Sequence, residues 1–254
     1  FFNKSKSIEN NIIKIEAIKP YFSSVFEADK NWPSHFDNSD NNLKLHYTFQ
    51  KDLTKKIKSL LKKYKSDYSS VVVIDNKTGG ILSAVGYTRK NNSFNLSLPF
   101  SSTHPSASLF KIITMASLLE QGKLTLDSSH TFSGKSNTLY KNQLFKKPHY
   151  RWQRTLSLNE AFAKSNNVIF GKAAIENLDK SLVDAMAYKF GFNQDLMSEL
   201  SLGQSFFQSP KDDYNFAEIA SGFNKKTMIS PVHAALLSSV IANRGIIKYP
   251  FIIS

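Results

Sequence analysis

Apolar and polar positions change their period several times along these 254 residues, and each change marks an element. From Asp52 to Tyr64, Leu53, Ile57, Leu60 and Leu61 recur at helical spacing with lysines between them. That pattern predicts an amphipathic helix whose lysines form a solvated face. Val71 to Ile74, then Asp75-Asn76-Lys77-Thr78-Gly79-Gly80, then Ile81 to Val85 predict strand, turn and strand, a hairpin that starts a sheet. Ser108 to Gln121 is apolar on nearly every side and stops at Gly122, which predicts a buried helix with a glycine past its end. Further helices are predicted at Leu158 to Lys164, Val168 to Asn177, Leu182 to Phe190 and Pro231 to Asn243. Residues 1–45, rich in Asn, Ser and Lys and without a long periodic stretch, predict an irregular arm or pedestal. Residues 46–254 form the principal domain. Strands come early, helices dominate the middle, and there is no internal repeat.

Composition narrows the class. Hydrophobic residues make up 41% and charged residues 21%, which excludes disorder for most of the chain. The longest apolar runs, Ile112 to Leu119 and Ala234 to Ala242, fall well short of a bilayer span. The lack of cysteine removes disulfides, thiolate zinc sites and cysteine nucleophiles together. The net charge of +13 is almost all lysine, since the four arginines are Arg89, Arg151, Arg154 and Arg244. Readers of nucleic-acid sequence lean on arginine forks, so this diffuse excess argues against a nucleic-acid partner and for solubility or attraction to an anionic polymer. From Ser128 to Asn159 there is no acidic residue, while Lys135, Lys141, Lys146, Lys147, Arg151 and Arg154 alternate with aromatics. This interval reads first as a solvated excursion between helices and second as a basic wall for a ligand. The histidines show no metal-like pairing, so no metal and no cofactor is expected.

The candidate chemistry begins at Ser108-Leu109-Phe110-Lys111, an S-x-x-K at the first turn of the most buried predicted helix. Three residues of separation put hydroxyl and amine on one helix face. A serine nucleophile needs a base, and a lysine becomes one only if its pKa falls. Burial and the positive end of the helix dipole both push that way. Ser108 is then an activated nucleophile whose own N–H helps stabilise an oxyanion. Ser59-Leu60-Leu61-Lys62 fits the same spacing, but on an exposed basic helix where the lysine stays charged.

With these residues the chain resembles the penicillin-binding transpeptidases, serine acyltransferases with the motif set S-x-x-K, S-x-N and K-[ST]-G. Tyr47-Thr48-Phe49 through Leu53 is similar to the segment before that family's first helix, with two family residues replaced by Gln50 and Thr54. Asp75 to Ala84 is similar to its D-x-x-T-G-x-I-L-A hairpin, Pro105 to Ile112 to its nucleophile segment, and Thr155 to Asn167 to the approach to its second motif. Phe190-Gly191-Phe192, Ser230 to Ala234 and Ala242 to Gly245 resemble later landmarks in family order. The resemblance covers roughly Leu43 to Ser254.

S-x-N occurs at Ser39, Ser93, Ser157 and Ser165, so spacing does not choose among them. Only Ser165-Asn166-Asn167 lies downstream of Ser108 at a predicted junction of two helices, as the second motif does. The resemblance then implies that Ser165 relays a proton among Lys111, Ser108 and the leaving amine, and that Asn167 hydrogen-bonds the substrate amide. Lys77-Thr78-Gly79 spells the third motif but precedes the nucleophile and sits in a turn that turn chemistry explains. The functional K-[ST]-G of the family lies beyond the landmark matched by Asn243 to Gly245, so the encoded protein is expected to continue past Ser254 with that strand.

By resemblance the fold is α/β (α+β), an antiparallel sheet flanked by helices with a helical subdomain carrying the second motif. The expected function is a D,D-transpeptidase or carboxypeptidase that attacks D-alanyl-D-alanine peptides of peptidoglycan through Ser108 and is trapped by β-lactams. Its partners are then the peptidoglycan stem peptide, β-lactams and cell-wall synthesis proteins. It would work outside the cytoplasmic membrane, with a membrane anchor upstream of Phe1. Two alternatives share the residues: a catalytically inactive relative serving as a binding or scaffold module, and a class D β-lactamase or β-lactam sensor.

Overall fold

In a computed structural model, described for residues 18–22, 24, 31–33, 35–38, 41–146 and 153–253, the chain divides into two compact units. The first takes the described residues up to Thr103, then Asp195–Gln204 and the chain from Ser230 onward; the second takes His104–Gln194 and Ser205–Ile229.

The first unit opens with a short helical stretch at 18–22, whose Phe22 is fully buried, and an antiparallel pair, β1 (His35–Asn38) and β2 (Asn41–Lys44). The arm expected to be irregular therefore carries regular structure. Its apolar anchors include Phe22 and Trp32, which no periodicity reveals. Helix α1 (Lys51–Tyr64) follows as predicted, with Ile57 and Leu61 buried. Lys65, in left-handed conformation, closes it by donating its N–H to the Leu61 carbonyl. The predicted hairpin is β3 (Tyr68–Ile74) and β4 (Ile81–Thr88), in register from Tyr68 opposite Thr88 to Val73 opposite Ser83. β5 (Ser93–Asn95) extends it into the antiparallel order β3-β4-β5. Ile57 and Leu61 of α1 pack on Val85 and Tyr87 of β4.

The second unit starts at β6 (His104–Pro105), passes through a 3₁₀ turn at Ala107–Phe110, and runs into α2 (Lys111–Glu120). β7 (Ser129–Ser133), the short α3 (Lys141–Phe145) and β8 (Gln153–Ser157) follow. Then come four helices: α4 (Leu158–Ala163), α5 (Asn167–Asn177), α6 (Lys180–Lys189) and α7 (Asp213–Ser221). β9 (Met228–Ile229) pairs with β6 and closes the unit. The basic interval is thus partly a hairpin, with Ser129 opposite Ser157, and not only an excursion between helices. Strands of the type Ser-His-Thr-Phe-Ser and Gln-Arg-Thr-Leu-Ser are too short and too polar to show as alternation. Arg154 lies 4.7 Å over the Phe132 ring, a cation–π contact within the hairpin. Lys147, Tyr150, Arg151 and Trp152, which the basic-wall reading also invokes, lie outside the described residues.

Helix α8 (Pro231–Ala242) belongs to the first unit. Ser230 caps it by accepting the His233 N–H, and Pro231 fills its first turn. Its Val232 joins Phe22, Ile81, Ala84, Phe100, Leu200 and Ile252 in one buried cluster. The architecture is the expected one: an antiparallel sheet with helices packed on it, and a largely helical unit carrying Ser165 to Asn167. No helix among the described residues is long and apolar enough to cross a membrane.

Candidate active site

The backbone around Ser108 is fixed before its chemistry begins. Pairing of β6 with β9 and the Ser106 N–H, which donates to the Thr227 carbonyl at 2.7 Å, hold the segment leading into the 3₁₀ turn. Ala107 then takes a left-handed φ of 46°, unusual for a residue with a Cβ. Phe110, with no exposed surface, locks the turn by stacking on Phe207 at 5.2 Å and meeting Phe192 edge-on at 5.6 Å. With Phe110 anchored, Ser108 stays exposed at the surface while Lys111 points inward, 1% exposed. Ser108 therefore sits on the 3₁₀ turn, and the α-helix proper starts at Lys111. This corrects the expected helix start at Ser108. The left-handed Ala107 stands immediately before Ser108, and no local pattern announces it.

Ser165 also has positive φ, 51°, where the chain turns from α4 into α5. Asn166 caps α5 by accepting the Ile169 N–H at 3.0 Å, so Asn167 becomes the first residue of the helix and its N–H donates to the Ser136 carbonyl at 2.8 Å. These two turns bring all four expected residues together.

Lys111 Nζ lies 3.0 Å from Ser108 Oγ, 2.7 Å from Asn167 Oδ1 and 2.5 Å from the Ser221 carbonyl oxygen. Ser165 Oγ donates to Ser108 Oγ at 2.9 Å. Asn167 Nδ2 reaches the Asn137 carbonyl at 3.2 Å. The Phe170 ring lies 6.0 Å from the ammonium position. Burial lowers the Lys111 pKa to about 8, so a usable fraction is neutral near pH 7. A neutral amine has two hydrogens and one lone pair. Asn167 Oδ1 and the Ser221 carbonyl only accept, so they take the hydrogens, and the lone pair is left for the Ser108 hydroxyl. The arrangement is that of a serine with an adjacent base whose orientation is fixed by two further groups.

The competing matches stand elsewhere. Ser59 and Lys62 are both exposed on α1, and Lys62 lies over the Phe94 ring at 5.4 Å. Ser157 is the N-cap of α4, in a reciprocal capping box with Glu160. Ser93 lies in β5, and Ser39 falls outside the described residues. Lys77 and Thr78 occupy the tip of the β3–β4 hairpin, where Asp75 Oδ1 accepts the Lys77 N–H at 2.8 Å and Thr78 Oγ1 accepts the Gly80 N–H at 3.1 Å. Among the described residues no cluster of His, Cys, Asp and Glu suits a metal ion.

Sequence reasoning missed α7 and its Ser221 carbonyl. The signal was present: Asp212 before the helix and Gly222 after it are good start and stop residues, but the helix between them is only nine residues long.

A family model described as the penicillin-binding protein transpeptidase domain matches residues 69–254. Solved structures share the fold. Penicillin-binding protein A from M. tuberculosis, in a ceftriaxone acyl-enzyme complex, is 22% identical with a TM-score of 0.63, over 85% of this chain and 55% of that one. The D,D-transpeptidase domain of a peptidoglycan glycosyltransferase from Eggerthella lenta is 22% identical with a TM-score of 0.67, over 82% of this chain and 56% of that one. Penicillin-binding protein 2B from Streptococcus pneumoniae strain 5204 is 17% identical with a TM-score of 0.66, over 84% and 41%. The chain therefore spans about half the length of these structures. No curated protein matches it.

Proposed function

This chain belongs to the penicillin-binding protein transpeptidase family, and on that premise we propose that it acylates itself on Ser108 with D-alanyl-D-alanine peptides of peptidoglycan and with β-lactams. The observation that carries the reading is the convergence of Ser108, Lys111, Ser165 and Asn167 within hydrogen-bond reach. Ser108 Oγ attacks the carbonyl carbon of the penultimate D-alanine and gives its proton to neutral Lys111. The Ser108 N–H helps stabilise the oxyanion as the tetrahedral intermediate forms. Collapse breaks the peptide bond, and the departing D-alanine nitrogen receives its proton from Lys111 by way of Ser165. The ester is then cleaved by an acceptor amine or by water. Asn167 orients Lys111 through Oδ1, a duty beyond the substrate-amide contact expected of it. For a β-lactam the bond broken is the ring amide, so the leaving nitrogen stays attached and the ester persists. Because peptidoglycan lies outside the cytoplasmic membrane, the domain would work there.

The test is a fluorescent penicillin incubated with the protein as encoded, followed by denaturing electrophoresis. A labelled band that disappears in Ser108→Ala is expected. An unlabelled wild type, or a label that survives the substitution, overturns the reading.

A further inference from the structure

Every α-helix ends with carbonyls that have no intrahelical partner, and in α7 their fate is fully assigned. Gly222 follows the helix with a φ of 69°, and its N–H bonds the Ile219 carbonyl while the Phe223 N–H bonds that of Glu218. This is the Schellman closure, and it leaves the carbonyls of Ala220 and Ser221. Thr114 Oγ1 donates to Ala220 at 2.8 Å, and Lys111 Nζ donates to Ser221. Thr114 and Lys111 stand one turn apart on α2, both buried. Gly222 also lies flat against the turn that carries Ser108: a Cβ there would stand 1.8 Å from the Ala107 carbonyl oxygen and 2.9 Å from the Ser108 nitrogen.

We propose that the C-terminal end of α7 is a built receptor for the Lys111 amine, with Thr114 and Gly222 as its positioning residues. The inference deepens the acyl-transfer reading of Ser108 and Lys111 and rests on it. The carbonyl end of a helix carries partial negative charge, so it favours the ammonium that forms when Lys111 takes the Ser108 proton. Thr114 sets the angle of that end by holding Ala220. Gly222 lets it approach, since any side chain there would displace the Ala107–Ser108 peptide. Burial is the cause of the depressed Lys111 pKa. The charged side chains on α2 and the helices packed against it are Glu120 on α2, Lys172 and Glu176 on α5, Lys180, Asp184 and Lys189 on α6, and Asp213 and Glu218 on α7. The groups bonded to the amine, Ser108, Asn167 and the Ser221 carbonyl, are uncharged. The receptor works against that burial by stabilising the charged form.

Gly222→Ala is the obvious variant and is expected to lose penicillin labelling at least a hundredfold, but it strains the backbone as well. Thr114→Val keeps the shape and removes the hydroxyl, whose short bond is to Ala220 at 2.8 Å and whose longer contact is to the Phe110 carbonyl at 3.4 Å. The decisive measurement is the titration of the Lys111 amine, followed by NMR of its side-chain carbon without any β-lactam present, in wild type, Thr114→Val and Thr114→Ser, with thermal melting alongside. Thr114→Val should move the Lys111 midpoint down by half a unit or more and, on the plateau above the midpoint where the amine is neutral in both proteins, slow labelling by up to about threefold per half unit, and Thr114→Ser should restore both. An unchanged midpoint in folded Thr114→Val overturns the proposal. So does an upward shift, which would mean that the end of α7 merely keeps water away from Lys111. A wild type that takes no penicillin would sink the acylation reading, and the titration would still decide this one.

Discussion

The Lys111 amine and the Asn167 side-chain oxygen stand 2.7 Å apart although 56 residues separate them in sequence. Asn167 thereby fixes the position of the Lys111 amine through its side-chain oxygen. The pair also fixes which of the Lys111 hydrogens is spent before the serine is engaged.

Lys111→Arg tests the base directly. A guanidinium stays protonated at any working pH, so acylation should fall by about two to four orders of magnitude. Stopped-flow acylation measured beside thermal melting checks it. Acylation near the wild-type rate would make Lys111 a structural residue.

The pH dependence follows from the depressed pKa. Acylation should climb about tenfold per pH unit below the Lys111 pKa of about 8 and level off above it. Stability has a matching sign. The folded chain releases the Lys111 proton at about 8 and the unfolded chain near the ordinary 10.5, so the unfolded state binds more protons between these values. Lys111 therefore contributes a rise in stability with pH across that window, and its full penalty is present below it. Denaturant melts at several pH values, compared with Lys111→Met, isolate the contribution.

Two serines separate function from capping. Ser157→Ala should cost about 1 kcal/mol of stability, the usual loss for an N-cap, and leave acylation near wild type. Ser165→Ala should keep the fold and slow acylation about a hundredfold or more, through loss of the proton path. Chemical denaturation and penicillin labelling of both variants give the contrast. The reverse pattern would move the second motif to Ser157.

Lys77→Ala and Thr78→Ala should leave acylation within a few-fold of wild type. Their surroundings are the hairpin turn, where Thr78 serves the Gly80 N–H. A loss comparable to that of Ser108→Ala would place this turn at the reacting centre.

Much of this was legible in the sequence because the residues concerned report on local physics. The spacing of Leu53, Ile57 and Leu61 gave α1, and the turn residues from Asp75 to Gly80 gave the β3–β4 hairpin. Ser108 and Lys111 could be paired from their separation alone, since three residues along a helical turn leave little choice. What stayed hidden depends on contacts distant in sequence. The Ser221 carbonyl has no side-chain signature, and Thr114 looks like any buried helix residue until Ala220 is placed beside it. β7 and β8 have one apolar position per five residues facing the interior, too few to show alternation. Phe22 lies in a short stretch beside Tyr21 with no sustained period, and it is buried in the first unit's core.

The interleaving of the two units also sets the order in which a growing chain can complete them. Within residues 1–254 the last stretch of the unit bearing Ser108 is Ser205–Ile229, whereas the sheet-bearing unit also takes the stretch from Ser230 onward, and Val232 of α8 shares a buried cluster with Ile81 and Ala84. Closing a loop of that length delays the contact but adds little to its entropic cost, which grows only with the logarithm of loop length. During synthesis the hairpin therefore emerges well before α8, with its apolar face uncovered in the interval. That makes β3 and β4 the segment a chaperone would hold, and the helical unit the earlier to resist a protease.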